Sequence, residues 1–205
     1  VALIQYLHHM NFLAHIYLSG EDDDIKIGNF MADSIKGKKY LDYPRGIQNG
    51  IILHRAIDYY TDTHPVFQQS TSRLFERYSH YNGIIADIFY DHFLASNWSD
   101  YSKTPLEAYT LDFYNLLRQN YAILPPKVKN FMPYMIEDNW LLSYAEVKGI
   151  QQVLVGMNNR TERKSGMHNA VEELEEYYEE FEMEFREFFK EAIIFSKKKI
   201  RELNQ

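Results

Sequence analysis

Apolar side chains recur every three or four positions along most of this chain, the period that lays them on one side of an α-helix. The clearest case is C-terminal. Val171, Leu174, Tyr178, Phe181, Phe185, Phe188, Ala192 and Phe195 form one stripe, with glutamates opposite. This spacing predicts a long amphipathic helix over 168–203. Breakers divide the rest. Met10–Ser19 reads as a short apolar helix or strand, ended by Gly20 and the acidic run Glu21–Asp24. Ile25–Ile35 predicts a helix closed by Gly37, Lys38 and Lys39, cations that suit a helix C-terminus. Pro44 opens a helix through His54 to about Tyr60, and Pro65 another to about Tyr78. Asn82-Gly83 predicts a turn, followed by a helix bearing Asp87, Asp91 and His92. Thr104, Pro105 and Glu107 predict the cap and first turn of a helix to about Tyr121. Pro125-Pro126 then precede Val128–Met135, Asp138–Tyr144 and Glu146–Asn158, and 160–166 reads as a polar, mostly basic loop. Strand alternation and internal repeats are not evident. The expected fold is all-α, a single-domain multi-helix bundle.

Composition narrows the picture further. With 205 residues, 45% hydrophobic and 16% aromatic, the chain has enough apolar surface to bury a core. Cysteine is absent, which excludes disulfides, thiolate metal sites and a cysteine nucleophile. No apolar run reaches the roughly 18 residues that span a bilayer, so no membrane partner is expected. Val1–His9 lacks the features of a signal peptide, and the expected location is cytoplasmic. Met10 reads as a natural start, with Val1–His9 as an upstream extension. The net charge of −7 is unevenly spread. Residues 172–191 hold ten glutamates against Arg186 and Lys190, a local −8, leaving about +1 on the remainder. An acidic tail on a near-neutral body argues against nucleic acid as a partner.

The candidate chemistry lies in two stretches. In Gly50–Asp62, His54, Asp58 and Asp62 fall at successive i, i+4 steps on one helix face. In Asp87–Leu94, Asp87 and Asp91 repeat that spacing, with His92 adjacent. Both stretches are otherwise apolar, and a buried carboxylate is costly unless paired or metal-bound. Imidazole with carboxylate suits Mn²⁺, Fe²⁺, Zn²⁺ or Mg²⁺, so the two helices are expected to face each other across a divalent metal. Taken singly, each residue has a plainer reading. His54 and Asp58 could be a helix ion pair, His15 a hydrogen-bonded core histidine, and Asp62 the cap of the turn into Pro65. Asp33 sits between small and apolar neighbours and reads equally as ligand or structural residue. Arg55 is either a phosphate ligand or half of a surface pair. His64, His80 and His168 lie in loop-like contexts and are expected to be solvated.

Four blocks, Met10–His15, Gly28–Asp33, Leu53–Asp58 with Thr61-Asp62, and Asp91–Leu94, resemble the bacterial acyl carrier protein phosphodiesterases in residues, order and spacing. The similarity runs from Met10 to about Arg160. It implies a helical fold related to the HD metal-dependent phosphohydrolases. It also implies hydrolysis of the phosphodiester between 4′-phosphopantetheine and a serine of acyl carrier protein, with Mn²⁺ or a similar ion. By position, the resemblance implies a metal centre of His54, Asp58, Asp91 and His92, with Asp33, Asp87 and His15 in or around the coordination sphere. Asp62 or Asp87 would orient the attacking water, and Arg55 or Lys36 would hold phosphate oxygens. His92 or His15 would protonate the leaving serine oxygen. Acyl carrier proteins are acidic, so a basic docking face is expected at Lys36–Lys39, Lys127/Lys129 or Arg160, Arg163 and Lys164, with the acidic helix turned away. A metal-dependent hydrolase of a small nucleotide or phosphodiester, or a non-catalytic helical interaction module, are the readings that compete with it.

Overall fold

The computed structural model describes residues 12–205, so the expected extension Val1–His9 lies outside the described residues. Those residues form helices joined by short turns, with no strand among them. α1 spans Phe12–Leu18 and α2 Asp23–Met31, which continues as a 3₁₀ turn over Ala32–Ser34. A loop with a second 3₁₀ turn, Lys39–Asp42, leads into α3 (Arg45–Thr63). α4 (Pro65–Tyr78), α5 (Asn82–Ser96) and α6 (Leu106–Gln119) follow, then α7 (Pro126–Glu137), α8 (Trp140–Ser143) and α9 (Val147–Arg160). The C-terminal stripe is carried by α10 (Val171–Glu176) and α11 (Tyr178–Leu203). No helix among the described residues is long and apolar enough to cross a membrane.

Local chemistry sets these boundaries. Asp22 accepts the Ile25 N–H and starts α2, as side-chain oxygens do at helix N-termini. At α4, Pro65 occupies the first turn, where no N–H is needed, and His64 Nδ1 accepts the Val66 N–H. His64 is buried rather than solvated, and its Nε2 meets Glu191 of α11 at 3.3 Å. The turn expected at Asn82-Gly83 lies three residues earlier. Ser79 adopts a positive φ there, and Asn82 already belongs to α5. Thr104 is not a cap; α6 starts at Leu106, and the Thr104 carbonyl accepts the Trp98 indole N–H.

α5 is the axis of the molecule. Every residue from Ile84 to Ala95 is buried, with α1, α4, α9 and α11 packed around it. The aromatic stripe faces this axis: Phe181 packs on Phe89, and Phe185 on Tyr90 and Phe93. The predicted helix over 168–203 breaks at Tyr177, between α10 and α11. Two of its glutamates are buried rather than solvated. Glu184 receives a paired contact from Arg73 (2.8 and 2.9 Å) and a bond from Ser70, while Glu173 binds Arg77 and Tyr78. α4 thus supplies arginines that neutralise part of the acidic helix, a pattern of tertiary pairing that helical periodicity does not contain.

α2 and α3 make the closest helix contact near the candidate site. A Cβ on Gly28 would lie 2.2 Å from the Ile47 carbonyl oxygen, and one on Gly50 would lie 2.4 Å from that of Ile25. Only glycine permits this approach of the two backbones. Asn29 lies at the crossing, and both Asn29 and Asp33 reach His54, one turn beyond Gly50 on α3.

Candidate metal centre

His15 from α1, Asn29 from α2, Asp33 from the 3₁₀ turn, and His54 and Asp58 from α3 converge. Asn29 organises the group. Its amide nitrogen donates to the His15 carbonyl (3.0 Å) and the Ser19 hydroxyl (2.9 Å), which orients the amide. Its Oδ1 therefore faces both imidazoles as an acceptor, 2.7 Å from His15 Nδ1 and 3.0 Å from His54 Nδ1. Both Nδ1 atoms must then carry hydrogen, so each neutral ring would hold its lone pair on Nε2. The two rings stack with centroids 4.1 Å apart, which points both Nε2 atoms the same way.

Carboxylates stand where they point. Asp58 places Oδ1 at 3.3 Å from His15 Nε2 and Oδ2 at 3.2 Å from His54 Nε2. Asp33 Oδ1 lies 3.2 Å from the same His54 nitrogen. The histidines are buried, while Asp58 and Asp33 are about a fifth exposed and form the solvent side of the cluster. Burial alone would lower the His54 pKa, but the Asp58 charge and hydrogen bonds to Asp33 and Asp58 outweigh it, and the pKa is raised to about 9. Burial acts to raise that of Asp58, yet His54 and His15 hold it well below the usual carboxylate range. The carboxylates around His54 Nε2 thus favour positive charge there. His15, His54 and Asp58 each offer a ligand atom within 4.8 Å of the others, a group that could hold a metal ion. Imidazole nitrogen with carboxylate oxygen suits a first-row divalent ion, and the shared Asn29 acceptor is the kind of outer partner that fixes a ligating histidine.

The structure draws this group differently from the sequence expectation. Asp91 and His92 do not join His54 and Asp58; neighbouring helix positions point about 100° apart, and here they serve two different interfaces. Asp91 is turned to α1, where its two oxygens accept the N–H groups of Leu13 (3.0 Å) and Ala14 (2.8 Å). Burial raises its pKa, and those two hydrogen bonds act against the rise. Its job is to cap the helix that carries His15. His92 faces the opposite direction. Its Nδ1 donates to the Tyr144 carbonyl (2.8 Å), and Nε2 lies 3.1 Å from the Tyr178 hydroxyl, a setting whose burial lowers its pKa. Both ring nitrogens are thus engaged away from His54 and Asp58, and His92 is not positioned to protonate a leaving group there. Asp87 is buried, one turn before Asp91 on α5, and its charge acts on Asp91. Asp62 is exposed, one turn beyond Asp58. Arg55 spends Nη2 on the carbonyls of Ile35 and Gly37, both at 3.0 Å. Lys36, Arg160, Arg163 and Lys164 are all exposed, and Lys164 pairs with Glu162.

Asn29 is the member that sequence reasoning missed. Its i, i+4 relation to Asp33 was visible, but an asparagine in an apolar helix carries no sign that two histidines will share its oxygen.

Known proteins align with this chain over nearly its whole described length. The sequence profile described as acyl carrier protein phosphodiesterase matches residues 10–192. A protein of that description from Photorhabdus laumondii is 33% identical over 181 residues, covering 88% of this chain and 91% of the relative. The Pectobacterium atrosepticum protein so described is 31% identical, covering 88% and 94%. One from an Enterobacter species is 30% identical over 191 residues, covering 93% and 99%. No solved structure matches this chain. With a profile that takes in all five residues of the cluster and relatives aligned almost end to end, the chain belongs to the acyl carrier protein phosphodiesterase family.

Proposed function

We propose that this protein hydrolyses the phosphodiester joining 4′-phosphopantetheine to a serine of acyl carrier protein, with a divalent metal held by His15, His54 and Asp58 and supported by Asp33. Mn²⁺ is the ion proposed. Family membership supports the reaction class, and the relatives' description supplies the carrier protein as substrate. One observation carries the site assignment: Asn29 Oδ1 takes both Nδ1 hydrogens, leaving both Nε2 atoms aimed at Asp58.

Bound there, a divalent ion supplies Lewis acidity, offsetting phosphoryl charge and lowering the pKa of water toward neutrality. The chain's residues do the rest. Asn29 keeps both imidazoles in the Nε2-ligating tautomer. Asp91 holds the first turn of α1 and hence His15. To Asp62 we assign alignment of the attacking water and acceptance of its proton; its exposure one turn beyond Asp58 supports this. Lys36, three residues past Asp33, is assigned to the phosphate oxygens. Arg55 is not assigned to them, because its bonds to Ile35 and Gly37 account for its position.

The test is the mass of holo-acyl carrier protein after incubation with the enzyme. Conversion to the apo form with Mn²⁺ but not with chelator is expected. Hydrolysis of small diesters with no conversion of the carrier protein would instead establish a small-molecule phosphohydrolase. Neither metal binding nor hydrolysis would leave a helical interaction module.

A further inference from the structure

The loop between α2 and α3 starts at the candidate metal centre and is held in one shape by side chains of α3. Beyond Asp33, Arg55 Nη2 reaches the carbonyls of Ile35 and Gly37 at 3.0 Å, and its guanidinium lies 5.1 Å from the centre of the Tyr40 ring. Gln48 holds the far end through the carbonyls of Leu41 (3.4 Å) and Tyr43 (2.7 Å). Between these ties the loop presents Lys36, Lys38 and Lys39, all exposed, beside exposed Arg55. Leu41 is 54% exposed, and Asp42 is the one carboxylate of residues 35–43. Lys38 and Lys39 enter no ion pair among the described residues, so their charge is not spent within the fold.

One lysine in each of the competing basic stretches is held by a neighbour. Lys164 pairs with Glu162 at 2.6 Å. Lys129 donates to the Ala122 carbonyl and lies 5.0 Å from the centre of the Tyr121 ring. The acidic helix is also out of the way. α11 meets α3 through Asn49 and Tyr60. At 100° per residue those two fall within about 20° of each other around α3, whereas Arg55 lies roughly 120° from Asn49. The glutamates of α11 therefore flank a different side of α3 from the basic loop.

We propose that the loop over residues 35–42, with Lys36, Lys38, Lys39 and exposed Leu41, together with Arg55, is the surface on which the acidic carrier-protein substrate docks. The proposal rests on the function given above and adds the place of contact. The cations steer an acidic partner to the loop, and the loop's continuity with Asp33 brings the partner's modified serine to the metal centre. Arg55 holds the loop's backbone, so the cationic face is formed before the partner arrives.

The experiment is the binding of fluorescently labelled holo-acyl carrier protein by the full chain in chelator, followed by anisotropy at low and high salt. Wild type is compared with Lys38→Glu/Lys39→Glu and with Arg163→Glu/Lys164→Glu. The first variant is expected to raise Kd by about tenfold or more at low salt, with the difference shrinking as salt is added. The second is expected to stay near wild type, and both should keep the wild-type Tm and Mn²⁺ affinity. Equal binding by wild type and Lys38→Glu/Lys39→Glu overturns the docking surface while leaving the proposed reaction standing. Weakening by Arg163→Glu/Lys164→Glu alone moves the surface to that cluster and overturns it here. Failure of wild type to bind overturns the proposal together with the reading beneath it.

Discussion

Asn29 decides what His15 and His54 can do, because one oxygen accepting from both Nδ1 atoms leaves only Nε2 for a metal or a proton. Asn29→Ala is expected to lower Mn²⁺ affinity ~10–100-fold, the usual cost of losing an outer partner of a ligating histidine, measured by titration calorimetry. An unchanged affinity would mean that the imidazoles are oriented by something else. The metal-free protein should also show a distinct pH response. His54 has its pKa raised to about 9, so its contribution to stability is full below its ordinary 6.5 and is lost as pH rises through about 9. Asp58 is shifted down, so its contribution is present above its ordinary 3.8 and disappears as pH falls below it. In chelator, Tm should therefore plateau between those limits and decline on either side. Mn²⁺ competes with the His54 proton, so its affinity should climb as pH approaches 9. A Tm that keeps rising from pH 7 to 9 in chelator would contradict the charged pair. The i, i+4 relation of His54 and Asp58 was legible in the sequence because it is local. The roles of Asp91 and His92 were not. α5 is buried on every face, so its periodicity favours no direction, and only the packing of α1, α8 and α11 reveals where each side chain goes.

Among the elements, the α2–α3 crossing does most to build the site. Gly28→Ala would drive a methyl group to 2.2 Å from a backbone oxygen that cannot move aside cheaply. A loss of about 1–3 kcal/mol in chemical denaturation is expected, together with weaker Mn²⁺ binding as Asn29 and His54 separate. Gly156→Ala is the control. Its Cβ would meet nothing within 4 Å in the middle of α9, and a gain of up to about 1 kcal/mol is expected. The α4–α11 contact offers a separate test. Arg73→Ala leaves Glu184 buried without its cation, and a loss of about 2–3 kcal/mol is expected, less than a fully buried pair because the Arg73 side chain is a fifth exposed. Replacing both partners by apolar residues should recover most of that loss. Helix positions were readable because their signals are local, the apolar period and the prolines, whereas the cap expected at Thr104 was not there. The burial of Glu173 and Glu184 was not readable, since it depends on Arg73, Arg77 and Tyr78 from an element a hundred residues away.

Over the whole molecule, charge is sorted rather than averaged. Part of the C-terminal acidity is absorbed by α4, α11 lies on one side of α3, and the lysine loop leaves from another beside the metal centre. Composition alone could not say which faces would carry the acidic and basic residues. On the proposed function, carrier-protein turnover is expected to fall as salt is added and Mn²⁺ binding to change much less. The measurement that bears most directly on the account compares wild type, Asp58→Asn and His92→Gln for Mn²⁺ binding and for release of 4′-phosphopantetheine from holo-acyl carrier protein. The account predicts that Asp58→Asn loses both and that His92→Gln keeps metal affinity near wild type, since His92 is spent on Tyr144 and Tyr178. Loss of metal by His92→Gln with retention by Asp58→Asn would contradict the centre assigned to His15, His54 and Asp58.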